Sequence, residues 1–426
     1  MFKCAVTSLG CKVNQCEAEA LKEEMRALSY EIVDFSEFAD VYIINTCCVT
    51  AEGERKSRQT VRRALGLNEN AVICVTGCAA QKTPEVFKKI KGVSIVAGNS
   101  QKHLLPQMIK AKLDDIFVED MSKFSVYQDM PDSAGEKTRA FIKIQDGCNN
   151  FCSYCIIPYV RGRERSRNIE SIVAECKSLK EKGFKEIVIN GIHLSSYGKE
   201  WDFKPDLGDV VERICAIDGI ERVRLGSLEP NIVTDEFLEK VTRHKEFSRQ
   251  YHLSLQSGSD TVLKRMNRKY TTEDYFNAVQ RIRKNYAPSA ISTDIITGFP
   301  GETEEEFNET LNFAEKVGFA WVHVFPYSVR EGTVASKMAG QLDKSTKNKR
   351  AHILSELCVK KGAEYRKQFV GQIKTVLCET NTNGIQEGLT EEHISVFFES
   401  ETIENQFAEI KITKITPEGL WGERID

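Results

Sequence analysis

Three apolar runs in the first 100 residues each end at a cysteine: "CAVTSLGC" at Cys11, "DVYIINTC" at Cys47 and "NAVICVTGC" at Cys78. Each is short, rich in β-branched residues and continuous rather than alternating, the pattern of a strand buried on both faces. Helical patterns over residues 15–28 and 52–65 separate them, so the runs read as parallel strands joined by crossover helices. The cysteines stand 36 and 31 residues apart (11 to 47, 47 to 78), about one strand–helix unit each time. Strands of such a sheet point the same way, which places all three cysteine loops at its carboxyl edge, where open α/β sheets bind ligands. The first expectation is therefore an N-terminal open parallel sheet domain over residues 1–126.

A stretch mixing Pro, Gly, Asp and Lys, "YQDMPDSAGEKTRA" (127–140), reads as a linker. Beyond it, strand-like "FIKIQ", "EIVIN", "RVRLG", "YHLSL", "ISTDII" and "WVHVF" alternate with helical patterns such as 169–182 and 302–317. Six such units suit a partial (β/α)6 barrel over residues 138–342. Residues 343–369 form a bridging helix pattern rich in Lys and Arg. From residue 370 to 426 short runs, "QIKTVLCE", "ISVFFE", "FAEIKITKI" and "GLWGERI", separated by Gly, Asn and Pro, predict a small β-barrel.

The chain holds 14 cysteines in 426 residues, with no run of eighteen apolar residues and no signal-peptide pattern at its start. A cytoplasmic location without membrane attachment is the expectation. Reducing conditions there disfavour a disulfide framework, leaving metal ligation and inert core thiols as competing roles. A formal net charge of −3 excludes a global basic footprint, so nucleic-acid binding must use local patches.

The most specific signal is "CNNFCSYC", which spaces Cys148, Cys152 and Cys155 as C-x3-C-x2-C directly after the strand-like "FIKIQDG". Three thiolates so close can hold three irons of a four-iron, four-sulfur cluster and leave the fourth iron open. A structural zinc site is the alternative, but it normally takes four protein ligands.

The triplet at the first strand of a six-unit barrel resembles the signature of radical S-adenosylmethionine enzymes. The longer "KIQDGCNNFCSYCIIPYVRGRERSR" resembles the methylthiotransferases within that superfamily. The likeness runs the length of the chain: "SLGCKVN", "INTCCVT" and "VTGCAAQ" look like the family's auxiliary-cluster motifs, and "NGIHLSSYG", "RLGSLEP", "LSLQSGSDTVLKRMNRKYT" and "TDIITGFPGET" like its barrel motifs. The C-terminal segment resembles the RNA-binding barrel called TRAM. The resemblance implies two [4Fe-4S] clusters, one on Cys148, Cys152 and Cys155 and one on Cys11, Cys47 and Cys78. It also implies S-adenosyl-L-methionine bound near Tyr154, Glu229, Gln256 and Arg268.

Other polar and thiol groups carry weaker expectations. Cys4 and Cys74 lie inside predicted strands and read as core, and Cys16 reads as a neighbour of the Cys11 site rather than a ligand. Cys48 sits where the family usually has another residue; adjacent residues of an extended segment point apart, so Cys47 is chosen as ligand and Cys48 as a buried spectator. "RGRERSR" (161–167) carries four arginines that are solvated or hold phosphates near the site, and "ERKSRQTVRR" (54–63) offers the same choice. From Val370 onward eleven acidic residues face four Lys or Arg, so RNA contact there would rest on aromatics such as Phe397, Phe398 and Trp421, or on the basic helix.

The resemblance implies a tRNA methylthiotransferase that modifies C2 of N6-threonylcarbamoyladenosine at position 37, with the anticodon stem-loop and an electron donor such as flavodoxin or ferredoxin as partners. Methylthiolation of isopentenyladenosine tRNA or of a ribosomal protein is the alternative within enzymes. A non-catalytic, zinc-containing RNA-binding protein is the alternative outside them.

Overall fold

The computed structural model describes residues 1–130, 138–202 and 205–425, so the linker expected at 127–140 lies partly outside the described residues. In the N-terminal part six strands, β1 (Lys3–Ser8), β2 (Glu31–Ile32), β3 (Val41–Thr46), β4 (Val72–Gly77), β5 (Val93–Ala97) and β6 (Ile116–Phe117), form one sheet in the order β2-β1-β3-β4-β5-β6. Every pairing is parallel. Alternate residues of β3 divide between two cores: Val41 and Ile43 pack with Leu21 and Met25 of helix α1 (Lys12–Ala27), Tyr42 and Ile44 with Val61 and Ala64 of α2 (Ala51–Leu67). Burial on both faces is why these strands read as continuous apolar runs. The chain runs outward from β1 to β2 and then returns to place β3 on the other side of β1. The topological switch point, where open sheets form their crevice, therefore lies between β1 and β3.

The central part brings β7 (Arg139–Asp146), β9 (Glu186–Gly191) and β10 (Arg222–Leu225) together in parallel, and β12 (Gln250–Leu253), β13 (Ala290–Thr297) and β14 (Trp321–Pro326) likewise. A parallel bridge from Val223 to Phe247 joins the two sheets. Short β8 (Arg165–Ser166) pairs antiparallel with β7, and β11 (Ser227–Leu228) pairs with β12. These are the six barrel strands the sequence pattern predicts. One face of each feeds the helix layer, with Ile142, Ile189, Val223, Tyr251 and Ile295 in a single core. The opposite face carries Lys143, Glu186, Arg222, Arg224, His252, Asp294 and His323, which makes the barrel interior polar.

A 24-residue helix (Lys344–Lys367), capped by Asp343 accepting from the Thr346 backbone N–H, runs along β13 and β14. It leads into a closed barrel of β15 (Ile373–Thr382), β16 (Ile385–Leu389), β17 (Ser395–Glu399), β18 (Phe407–Ile415) and β19 (Leu420–Arg424). This small barrel docks on the first residues of the central strands. Arg139 pairs with Glu379 at 2.8 Å, and Arg222 donates to the Leu389 carbonyl at 2.9 Å. Arg224 donates to the Glu391 carbonyl at 3.3 Å and to the fully buried Glu186 at 3.1 Å. The small barrel thus closes the amino-terminal mouth of the central barrel, opposite the end where the cysteine loop emerges. Phe398 is core there, whereas Phe397 and Trp421 are only half-buried.

Candidate active site

Cys148, Cys152 and Cys155 follow β7 at the carboxyl mouth of the central barrel. Their loop is fixed at both ends. Gly147 has φ +73°, and a Cβ there would sit 1.8 Å from the Arg163 carbonyl oxygen, so only glycine fits. The Cys148 N–H donates to the Gly162 carbonyl at 3.1 Å. Farther along, Asn267 donates to the carbonyls of Asn150 and Phe151 at 3.3 and 3.0 Å, and the Ser153 N–H donates to the Met266 carbonyl at 3.0 Å. "RMNRKY" therefore acts as a clamp on the cysteine loop.

The three cysteines line a pocket with Tyr154, Asn150, His193, Glu229 and Arg268. Arg268 reaches Cys152 Sγ at 3.2 Å and Glu229 Oε1 at 2.8 Å. Glu229 also accepts from Asn150 Nδ2 at 2.8 Å and lies 3.2 Å from His193 Nε2. Burial pushes the Glu229 carboxyl up, but the His193 hydrogen bond and the Arg268 charge outweigh it and hold the group down at about 2. It is a fixed carboxylate at neutral pH. Tyr154 packs edge-on against Phe299 at 6.4 Å between centroids. Of the four residues expected near S-adenosylmethionine, Tyr154, Glu229 and Arg268 meet in this pocket. Gln256 is not among its lining residues; its backbone, at φ +70°, bridges to Asp294 and Ile296 of β13. Asn150 and His193 were not singled out from sequence, although both lie within quoted motifs.

A second cysteine set gathers at the carboxyl edge of the N-terminal sheet. Cys11 caps α1, Cys47 follows β3, and Cys78 opens the short helix α3 (Cys78–Lys82) after β4. Asn45 and Thr46 explain the "NTC" pattern. Asn45 Nδ2 donates to the Asn14 carbonyl at 2.9 Å, and Thr46 Oγ1 donates to the Thr76 carbonyl at 2.6 Å while accepting from the Ala80 N–H at 3.1 Å. Asn14 Nδ2 closes the ring on the carbonyls of Leu9 and Thr46, at 2.8 and 3.0 Å. A Cβ on Gly10 (φ +95°) would stand 2.5 Å from Cys47 Sγ, so glycine lets the first loop approach the second. Cys48 is fully buried and its thiol hydrogen-bonds Cys78. That bond, outweighing burial together with the nearby Arg161 and Lys102 charges, draws the Cys78 thiol down to about 6. Cys4 and Cys74 are core, and Cys16 bonds the Phe141 carbonyl at 3.3 Å.

Between the two sets lies a buried charge cluster. Arg161, with no exposed surface, contacts Cys78, Glu17, Asp146 and Asn14, and Lys102, Lys143 and Arg165 join the same carboxylates. In "RGRERSR" three of the four arginines, 161, 165 and 167, are buried in ion pairs rather than open to phosphates. Only Arg163 stays outside, stacked on Phe151 at 4.8 Å.

The donor sets fit iron–sulfur clusters better than zinc. Burial, reinforced by the neighbouring Cys152 thiol, pushes the Cys148 and Cys155 thiols up to about 12, and a bound cationic centre would hold them as thiolates. Among the described residues neither trio brings its three sulfurs within 4.8 Å of one another. A tetrahedral zinc with ~2.3 Å bonds requires separations of ~3.8 Å, whereas a cluster binds each thiolate at a different iron and spreads them farther.

Residues 142–314 match the radical SAM superfamily and residues 3–98 the uncharacterized protein family UPF0004. Over 97% of its length the chain is 40% identical to the threonylcarbamoyladenosine tRNA methylthiotransferase MtaB of Bacillus subtilis, covering 94% of that protein. The MtaB of Aquifex aeolicus is 38% identical over 93% of this chain and 96% of its own length. The tRNA-2-methylthio-N(6)-dimethylallyladenosine synthase of Clostridium botulinum (strain Loch Maree) is 37% identical over 99% and 96%. In fold alone the chain resembles the radical S-adenosylmethionine methyltransferase TsrM from Kitasatospora setae, solved with cobalamin and a [4Fe-4S] cluster. There the TM-score is 0.58 at 15% identity, covering 91% of this chain and 81% of that one. With catalytic and N-terminal halves both matched, and relatives aligned end to end, the chain belongs to the methylthiotransferases of the radical SAM superfamily.

Proposed function

We propose that this enzyme adds a methylthio group to C2 of N6-threonylcarbamoyladenosine at position 37 of tRNA. In this reading Cys148, Cys152 and Cys155 hold one [4Fe-4S] cluster and Cys11, Cys47 and Cys78 a second. A [4Fe-4S] cluster held by Cys148, Cys152 and Cys155, with flavodoxin or ferredoxin as its electron donor, would supply the one-electron reduction of S-adenosylmethionine on which radical attack at an unactivated adenine C–H bond depends. Tyr154 offers an apolar wall to the cofactor, while Glu229 and Arg268 present fixed, opposite charges to its amino-acid end and ribose. Gln256 orders β13 beside them through its backbone.

The observation that carries the reading is the segment after β14, which touches both cysteine neighbourhoods. Tyr327 packs on Phe299 at 5.4 Å, and Phe299 on Tyr154. Three residues on, Arg330 donates to the Cys48 carbonyl at 3.1 Å, and Ser328 accepts from the Ala51 N–H at 3.3 Å. At the end of β14 itself, His323 and Phe325 show exposed rings to the barrel interior, Phe325 at 46% exposure, while Val322 and Val324 turn to the core. An unstacked base of an anticodon loop finds there a surface to stack on, close to both sites. Among the described residues no helix is long and apolar enough to cross a membrane.

The MtaB relatives support the threonylcarbamoyl substrate, and the Clostridium relative, nearly as similar, keeps the dimethylallyl substrate as second reading. Mass spectrometry of tRNA nucleosides from cells with and without the gene separates them. Loss of 2-methylthio-N6-threonylcarbamoyladenosine alone is expected; loss of the dimethylallyl product instead selects the second reading, and an unchanged profile refutes both.

A further inference from the structure

We infer that Arg161 is a positioning residue which ties the two cysteine sites together and tunes the electron affinity of the centre held at Cys78. The inference rests on the reading that Cys11, Cys47 and Cys78 hold a cluster. Arg161 ends the short helix (Ile157–Arg161) that follows the Cys148–Cys155 loop, and its side chain crosses into the N-terminal sheet domain. Each nitrogen of its fork has a partner. Nε points to Cys78 Sγ at 3.3 Å. Nη1 binds both oxygens of Asp146, at 2.9 and 3.0 Å, and Glu17 Oε1 at 3.0 Å; Nη2 binds Glu17 Oε2 at 3.0 Å and Asn14 Oδ1 at 2.7 Å.

Those partners are the anchors of both sites. Asp146 is the last residue of β7, two before Cys148. Asn14 and Glu17 lie in the first turns of α1, which Cys11 caps, and Asn14 also holds the carbonyl of Thr46, next to Cys47. One planar guanidinium thereby fixes the mutual register of the loops that present all the ligand cysteines, a task its rigid fork suits and a lysine ammonium does not.

Charge gives the second half of the argument. Arg161, Arg165, Lys102 and Lys143 make four cations, against the two carboxylates Glu17 and Asp146, an excess of two positive charges in a region where Arg161, Lys102 and Glu17 are almost fully buried. Uncompensated buried cations are costly, so the cluster is built to face a further anion. Thiolate-ligated iron–sulfur centres are anionic and become more so on reduction. Positive charge and an N–H donor at a ligand sulfur stabilise the reduced state and raise the potential.

The test uses the full chain carrying Cys148→Ala, Cys152→Ala and Cys155→Ala, so that any remaining cluster belongs to the N-terminal site, with and without Arg161→Lys. Anaerobic iron analysis, circular dichroism and a redox titration followed by electron paramagnetic resonance are read on each. About four irons are expected in the parent, with the midpoint potential of Arg161→Lys shifted to more negative values. Loss of iron from the Lys variant with its circular dichroism unchanged also supports the inference. An unchanged potential, or a Lys variant that no longer folds, overturns it, the latter because the residue then serves stability alone. Absence of iron from the parent refutes the underlying cluster assignment instead, so the two failures are distinguishable.

Discussion

Alanine at Cys47 or at its neighbour Cys48 removes one sulfur from the same loop, yet the geometry assigns the two changes different consequences. Cys47 Sγ lies against the Gly10 turn and accepts weakly from the Val49 N–H at 3.5 Å, while burial pushes its thiol up to about 11. Cys48 turns the other way, into the core with Val61, Ala64 and Cys78, and spends its S–H on Cys78. On the proposed assignment of Cys11, Cys47 and Cys78 to a second cluster, Cys47→Ala deletes one of three protein ligands, so iron should fall from about eight per chain to about four and methylthiolation should be lost. Cys48→Ala leaves the ligand set whole. It opens a void of one buried sulfur and removes one weak hydrogen bond, a cost of about 1–2 kcal/mol by analogy with small core truncations. Anaerobic iron and sulfide analysis with nucleoside mass spectrometry should find Cys48→Ala near eight irons and active, melting a few degrees lower. If Cys48→Ala halves the iron and Cys47→Ala keeps it, the ligand register and the reasoning from strand direction are wrong.

Glu229→Gln removes the carboxylate between Arg268 and His193 and leaves a buried guanidinium short of its partner; iron content should hold, while the KM for S-adenosylmethionine in substrate-free cleavage rises about tenfold, equivalent to ~1.4 kcal/mol. Phe325→Ala should weaken binding of an anticodon stem-loop, measured by fluorescence anisotropy, by ~1–3 kcal/mol if a base stacks there, without changing substrate-free S-adenosylmethionine cleavage; equal affinity for both proteins would remove the stacking role. Glu24 offers a pH test away from the clusters. Burial raises its carboxyl, whose Oε2 has no hydrogen-bond partner, to about 7. A raised folded pKa means the folded state keeps a proton the unfolded chain gives up, so stability is lost as pH rises from about 4.5 through 7. Glu24→Gln should therefore stabilise at pH 8 by ~1 kcal/mol after allowance for partial solvent screening, and by less at pH 5.5, in anaerobic thermal melts.

What the sequence made legible follows the range of the interactions involved. Strand type shows in a local apolar run, so β1, β3, β4 and the six central strands were readable. Strand β16, "IQEGL", was not, because its pairing with β15 and β17 is fixed by the closed barrel rather than by its own apolar content. The Cys148–Cys155 triplet was readable because its spacing is local. The Cys11, Cys47 and Cys78 set was readable because parallel strands convert a separation of one strand–helix unit into adjacency. Glu229, Arg268 and Tyr154 had no such signal and came only from resemblance to known motifs, as did Gln256, whose backbone pairs with Asp294 and Ile296.

The arginines of "RGRERSR" show where that limit lies. A cation's role depends on which anion it meets, and Arg161 meets Glu17 across 144 residues of chain. Composition describes the same residues equally well as a solvated turn, a phosphate clamp or a buried ion cluster. Only the packing of α1 against β7 decides, by bringing Glu17, Lys143 and Asp146 into one desolvated volume. The same packing sets Cys16 against Phe141 and Lys12 over its ring at 4.6 Å. Domain docking and cluster environment are therefore one structural problem here: the charges that hold the N-terminal sheet to the barrel are also those that surround Cys78. A substitution that loosens the docking should also perturb the centre proposed at Cys11, Cys47 and Cys78, even where none of those cysteines is touched.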